Sequence, residues 1–399
     1  MSQPDAGGSS TRKRILYTAI SIAHLSSFHR PILRCLKNQG CHIHVAANSS
    51  PGFELDEADL LIDPSFARNP FSWANAKALF KLTSIIRKGG YDIVHCHTPV
   101  ASVLTRLAAL FSKGPRPTVI YTSHGFHFFP GGPISNWLLW FPVEWVLARF
   151  TDMIIVINRW DQWAANRLLH AKDVRLIPGM GVDLERFAPV SAKLKQEIKH
   201  DLQLQPDDLV IAYVAEFIPR KNHKIVILMM RDLIKKHPTI RMLFVGRGPT
   251  LQACQNLVSD FGIQENVSFL GYRRDVDKLL KAADVAVSAS RHEGLPIGIV
   301  EAMASGLPIV ATKDRGHKEL IEDDVNGWLV QQESVYDFIN KVSTLLTDGD
   351  LRRSFGFNGQ QRAQKFSVGA SLATLADIYA SFGIAKTSME KDLENSGSI

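Results

Sequence analysis

Cysteine is scarce in this 399-residue chain. Four residues, Cys35, Cys41, Cys96 and Cys254, with no CxxC pair, exclude a disulfide framework and fit a reducing compartment. No run of 18 uncharged apolar residues exists, which excludes a membrane-spanning helix on length. The polar start Met1–Ser10 lacks a hydrophobic signal segment, so a cytoplasmic location is expected. No GxGxxG loop follows the first apolar run, so dinucleotide binding is not expected of the first half. No repeat of 20–50 residues is visible. What remains is 45% apolar and 21% charged, an ordinary folding composition with length for two domains.

Charge is unevenly placed. Residues 1–190 hold 20 Lys+Arg against 13 Asp+Glu, hence 20 − 13 = +7, and residues 191–399 hold 26 of each. The first half also carries nine of the 14 histidines. A one-sided basic surface attracts phosphate, of a nucleic acid or of an anionic membrane. No nucleic-acid module or concentrated basic stripe accompanies it, so no nucleic-acid partner is expected and an anionic membrane surface remains.

Short apolar runs alternate with amphipathic stretches, the pattern of parallel strands joined by crossover helices. Strands are expected at 14–18, 42–46, 93–95, 118–122 and 153–157, then again at 210–214, 241–245, 267–270, 285–288 and 309–311. Helices are expected between them, including 28–39, 134–149 and 299–304. This reads as α/β, two doubly wound domains facing across a cleft. The first spans 1–190, a polar linker 191–205, the second domain 206–365. A helix at 366–384 is expected to return to the first domain, and 385–399 to be a disordered tail.

The most informative stretch runs from Ser290 to Pro308 and contains Glu293-Gly294-Leu295-Pro296-Ile297-Gly298 and, eight residues after Glu293, Glu301. It follows a strand and opens a helix. Its glycines permit close backbone approach, and free amides at a helix start favour phosphate. Carboxylates beside such a site need hydrogen-bond donors, and sugar hydroxyls are suitable ones.

This stretch resembles the E-x₇-E signature of glycosyltransferase family 4, retaining enzymes of the two-domain GT-B type. The resemblance extends through Asn326–Val330, Val245-Gly246-Arg247-Gly248-Pro249 and Gly179–Phe187, and covers roughly residues 14–380. Tyr121–His127 and Ile154–Asn158 are similar to bacterial exopolysaccharide and capsule transferases. The resemblance implies that Glu301 bonds the ribose of a nucleotide diphosphate sugar and that Glu293 contacts the donor sugar. Amides around Ile297 and Gly298 would hold the diphosphate, with Gly294 and Leu295 in the same loop. Lys221 matches the diphosphate lysine, and Arg220 is a second candidate cation because Glu216 stands where many relatives carry arginine. Gly246, Arg247, Tyr272 and Arg273 are expected near the base, with uridine favoured. A positioned cation stabilises a departing diphosphate, so neither a metal nor another cofactor is expected.

In the first half, His124 follows an apolar strand, and the resemblance gives it the position that touches the donor sugar. Glu293, Lys221 and His124 form the expected catalytic set. His24 and His29 flank the first strand-to-helix turn and, with Arg68, His97 and His127, suit acceptor contact. His95 and His97 share a strand face and could bind metal, yet no further ligands stand at zinc-finger spacing, so no metal site is assigned. The aromatic stretch Phe128–Trp145 is expected as an exposed loop before a buried helix. Asp275-Val-Asp277 and Asp348-Gly-Asp350 are read as helix caps.

These readings converge on a retaining glycosyltransferase using a nucleotide sugar, with a lipid-linked saccharide as acceptor in cell-surface polysaccharide synthesis. A nucleotide-sugar epimerase of the same fold, or a non-catalytic nucleotide-sugar-binding subunit, are the alternatives.

Overall fold

The computed structural model describes residues 12–385. The polar start and the tail from residue 386 lie outside the described residues. The chain divides into two compact units, one running to Met180 and resuming at Ser371, the other Gly181–Ala370. Residues 181–190 fall in the second unit, where Val182 bridges Ser367.

The first unit holds seven strands: β1 (Arg14–Ser21), β2 (His42–Asn48), β3 (Leu60–Ile62), β4 (Ile93–His97), β5 (Thr118–Ser123), β6 (Met153–Val156) and β7 (Val174–Leu176). All pairs are parallel, in the order β3-β2-β1-β4-β5-β6-β7, with Ile15 opposite Ile93 and Val94 opposite Val119. The second unit holds six: β8 (Leu209–Val214), β9 (Ile240–Val245), β10 (Val267–Phe269), β11 (Val285–Ser288), β12 (Ile309–Thr312) and β13 (Gly327–Val330). These pair in parallel as β10-β9-β8-β11-β12-β13. Every residue of β4, β6, β11 and β12 is buried, because helices cover both faces; β6 accordingly reads as an unbroken apolar run, whereas β4 buries His95 and His97 as well. Order reverses between β1 and β4, and between β8 and β11. Each reversal leaves a crevice at the strands' carboxyl ends.

Three local departures from expectation have clear causes. The helix expected at 28–39 runs Arg30–Asn38, and an unexpected short helix, Ile22–Phe28, precedes it. Pro31 has no N–H and cannot continue a helix, and Ser21 caps the earlier segment through its side chain. The helix after Pro296 starts at Ile297, two residues early, because a proline before the first turn favours helix entry. The aromatic stretch is arranged the other way round. Phe126, Phe128 and Phe129 of the loop are buried, while the helix Ile134–Ala148 exposes Ile134, Leu138, Trp145 and Val146. Loop phenylalanines fill the space beside β5 and β6, as Phe128 packs against Trp137 and Phe141.

Candidate active site

In the second unit the chain leaves β8 through Glu216, which is exposed, and makes a tight turn over Pro219–Lys221. Asn222 closes that turn in the left-handed region, with φ 51°. The Tyr213 hydroxyl donates to the Lys221 carbonyl at 2.6 Å and so fixes where the lysine departs. As a result Arg220 and Lys221, though adjacent, reach the same carboxylate. Arg220 donates to Glu293 Oε2 at 2.9 Å, and the Lys221 ammonium donates to Oε1. Glu293 is buried. Burial alone would raise its carboxyl, but Lys221 and then Arg220 overcome this and hold it down at about 2.

Glu293 is followed by Gly294, Leu295 and Pro296, and then by the helix Ile297–Ala304. No side chain caps that helix, so the amides of Ile297 and Gly298 at its start have no intrahelical acceptor. A cavity at the carboxyl ends of β8 and β11 is lined by Val214, Lys221, Ser288, Pro296, Ile297 and Gly298. A Cβ on Gly298 would stand 3.2 Å from the Val214 carbonyl, so the helix start sits tight against β8. Glu301, one turn along, is half-buried; its carbonyl accepts from Ser305, but its carboxylate makes no hydrogen bond or salt bridge to another described residue. Burial pushes its carboxyl up to about 7; Arg186 opposes that shift and Asp277 adds to it. A cationic pair, free helix amides and a carboxylate in want of donors therefore stand on segments that border this cavity, Lys221, Ile297 and Gly298 lining it directly. That combination can take a diphosphate and a hydroxyl-bearing group.

The loop after β9 approaches the same edge. A Cβ on Gly246, at φ 146°, would lie 2.0 Å from the Ala215 carbonyl, and one on Gly248, at φ 155°, 2.4 Å from that of Phe217. Only glycine fits at either position. Arg247 is exposed with its guanidinium over the Tyr272 ring at 4.6 Å, whereas Arg273 is engaged by Asp275 at 2.7 Å.

In the first unit the carboxyl ends of β1, β4 and β5 bring histidines together. The His24 and His124 rings lie 5.0 Å apart, His29 and His124 5.5 Å, and His29 and His97 4.4 Å. Burial first, and neighbouring imidazoles second, lower His29, His97 and His124 well below the ordinary range; burial alone takes His24 to about 4. All four are neutral at pH 7. His95 stands beside His97, ring centroids 4.2 Å apart, but both its nitrogens are engaged, by Thr122 at 2.7 Å and Tyr379 at 2.6 Å.

Residues 195–362 match the family described as Glycosyl transferases group 1, and residues 31–186 match Glycosyltransferase Family 4. A Bacillus subtilis protein named putative glycosyltransferase EpsD is 37% identical over 371 residues, covering 93% of this chain and 97% of that one. The chain belongs to glycosyltransferase family 4. An Escherichia coli relative, UDP-Gal:alpha-D-GlcNAc-diphosphoundecaprenol alpha-1,3-galactosyltransferase, is 28% identical over 331 residues, covering 81% of this chain and 84% of the relative. In fold, this glycosyltransferase is similar to Anabaena HepE, solved in complex with UDP and glucose. The TM-score is 0.77 at 22% identity, over 93% of this chain and all of that one. The two parallel-sheet domains are thus of the GT-B type.

Not every expected residue of the transferase joins these clusters. Arg68 is exposed in the loop between β3 and the helix Trp73–Gly89. His127 is exposed with its ring against Trp140 at 4.9 Å, and its carbonyl accepts from Asn136. Asp348 caps its helix through Leu351 N–H at 2.9 Å, but Asp275 does not cap, because Arg273 takes its carboxylate. Tyr213 and Gly316 were not legible in the sequence as site residues. A Cβ on Gly316 would lie 2.8 Å from Cβ of Glu293, so the loop after β12 packs directly on that glutamate. Nothing in the local sequence marks a contact made across two strand ends.

Proposed function

We propose that this transferase moves a sugar from a uridine diphosphate sugar to a lipid-linked saccharide, with retention, in the assembly of a cell-surface polysaccharide. The observation that carries the reading is the placement of Lys221 and Arg220 on Glu293 beside the uncapped start of Ile297–Ala304. In this reading the diphosphate lies at the amides of Ile297 and Gly298, with Lys221 taking up charge as the bond to the sugar breaks. Glu301 accepts from the ribose hydroxyls, and the ionised Glu293 accepts from the sugar. Gly294 and Leu295 shape the turn; Gly246, Arg247 and Tyr272 border the base, and Arg273 acts only through Asp275. His124 offers a neutral imidazole to the sugar. The anomeric carbon loses its phosphate oxygen and gains the acceptor oxygen on the same face. The acceptor proton passes to the departing phosphate, so no side-chain nucleophile is needed.

A second cation in place of the arginine that Glu216 replaces is supported by Arg220, which reaches the same carboxylate as Lys221. A uridine donor is supported by the HepE complexes with UDP and by the UDP-galactose relative, and a lipid-linked acceptor by the diphosphoundecaprenol in that relative's name. An anionic membrane surface is supported by the helix Trp73–Gly89. Trp73 is 88% exposed and Phe80 77%, with Lys77, Lys81, Arg87 and Lys88 also exposed and no acidic residue on the helix.

A panel of nucleotide sugars, scored for thermal stabilisation and slow hydrolysis, tests the donor. Stabilisation by UDP-sugars is expected. Lys221→Ala should cut turnover about tenfold to a hundredfold, as loss of a hydrogen bond to a charged group, about 1.5–3 kcal/mol, requires. Conversion of the donor to an isomer without acceptor would instead identify an epimerase. Wild-type turnover in folded Lys221→Ala would remove the site assignment.

A further inference from the structure

We infer that His24, His29 and His124 form a binding site for a borderline-soft divalent transition metal of the zinc class. One ring nitrogen from each lies within 4.8 Å of one from each of the others. In all three residues Nε2 is buried without a hydrogen-bond partner. A buried polar nitrogen left unpaired is costly, and three such atoms around one point share a single remedy in a cation. Three neutral imidazoles with an open fourth position are the donor set that zinc accepts, at about 2.0–2.1 Å per bond. Drawing the nitrogens in to that distance needs shifts of about an ångström. His24 can supply them, being half-buried on the short helix Ile22–Phe28.

The surroundings fit the assignment. His29 Nδ1 lies 3.2 Å from the Tyr17 hydroxyl, which fixes the ring and leaves Nε2 to face the group. An outer hydrogen bond of this kind is what orients a ligating imidazole. His97 stands behind His29, stacked on Tyr17 at 4.6 Å, with both ring nitrogens buried and unpartnered. Among the described residues this is the one group of three or more histidine, cysteine or carboxylate side chains with convergent ligand atoms. No carboxylate joins it, which selects against magnesium and calcium.

Because His124 belongs to the proposed sugar site, a bound zinc ion occupies its lone pair and inhibits transfer. That consequence alone rests on the function proposed above; the metal site itself does not.

The test uses the untagged full chain, stripped with chelator, titrated with Co²⁺ and Zn²⁺ in the absence of any nucleotide sugar. One metal per chain is expected, with the visible absorption of four-coordinate cobalt displaced by zinc. His24→Ala and His124→Ala should each weaken binding more than tenfold without changing metal-free thermal unfolding. Tyr17→Phe should weaken it about tenfold through the lost outer hydrogen bond. Should one of these chains not fold, the others carry the test. Absence of saturable one-to-one binding, or unchanged affinity in the His24→Ala/His124→Ala double variant, overturns the proposal. A chain that binds cobalt but, once stripped of metal, transfers no sugar retains the metal site and loses the proposed transfer reaction, and a chain active when metal-free that binds no cobalt does the reverse.

Discussion

Glu293 and Glu301 are eight residues apart, yet their surroundings drive them in opposite directions. Glu293 meets two cations and is ionised throughout the working range, whereas the half-buried Glu301 has no partner on its carboxylate and desolvation takes it to about 7. Ribose hydroxyls donate to a carboxylate better than to a carboxylic acid, so nucleotide binding lowers the Glu301 value. The sign follows: the gain from Glu301 is complete above about pH 7 and is lost as pH falls below it. UDP affinity measured by calorimetry from pH 6 to 8 should therefore rise with pH in the wild type, and Glu301→Gln should flatten the profile. An identical slope in both chains would show that Glu301 does not face the ribose. Gly316 tests the other glutamate. Its backbone, at φ −76°, suits any residue, so the only penalty of Gly316→Ala is the clash with Glu293. Turnover should fall at least tenfold while UDP affinity, set elsewhere in the crevice, changes little.

Among the elements, the helices Pro99–Phe111 and Ile134–Ala148 are joined by a buried ion pair. Arg106 is fully buried and donates to Glu144 at 2.8 and 3.0 Å, with its guanidinium 4.1 Å from the Tyr121 ring centroid. Its Nε also donates to the Ser102 carbonyl at 3.2 Å. Removing one member of such a pair leaves a buried charge alone, at a cost of about 3–5 kcal/mol, while replacing both with apolar groups costs much less. Arg106→Met should thus lower denaturant stability by about that amount, and Arg106→Met/Glu144→Leu should recover most of it. If the double variant is as unstable as the single, the pair is not the source of the loss. Sequence periodicity identified both helices but not this link, since an arginine and a glutamate on amphipathic helices read as solvated until the facing surfaces are known. The turn before the helix at Ile297 was legible from Pro296 and the glycines, although the start itself was expected two residues later.

At the scale of the molecule, the charge excess in the first half meets an apolar surface in the same unit. Ile134 and Leu138 are 75% and 74% exposed, and their helix, like Trp73–Gly89, packs against Pro99–Phe111. No helix among the described residues is long and apolar enough to cross a membrane. Basic residues near an anionic surface contribute about 1 kcal/mol each and are screened by salt, whereas inserted aromatics are not. Co-sedimentation of the full chain with anionic vesicles should fall with salt but persist. Trp73→Ser/Phe80→Ser should abolish the salt-resistant part. Equal binding to neutral and anionic vesicles would show that the charge split has no such role.

The sequence by itself determined the doubly wound alternation, the place of the glycine-rich turn before the helix Ile297–Ala304 and the E-x₇-E spacing that marks the family. All of these are written in short-range order: apolar runs of strand length, a proline and glycines at a helix start, carboxylates at fixed spacing. The order of the strands was decided only by tertiary pairing, and with it everything that depends on two distant segments meeting. His24, His97 and His124 follow or end three strands that are neighbours only because β4 lies between β1 and β5. The same long-range placement set Gly316 on Glu293 and turned the aromatic helix outward. Periodicity records whether a residue is buried. Which partners it meets there depends on strand order, which no local window of the chain contains.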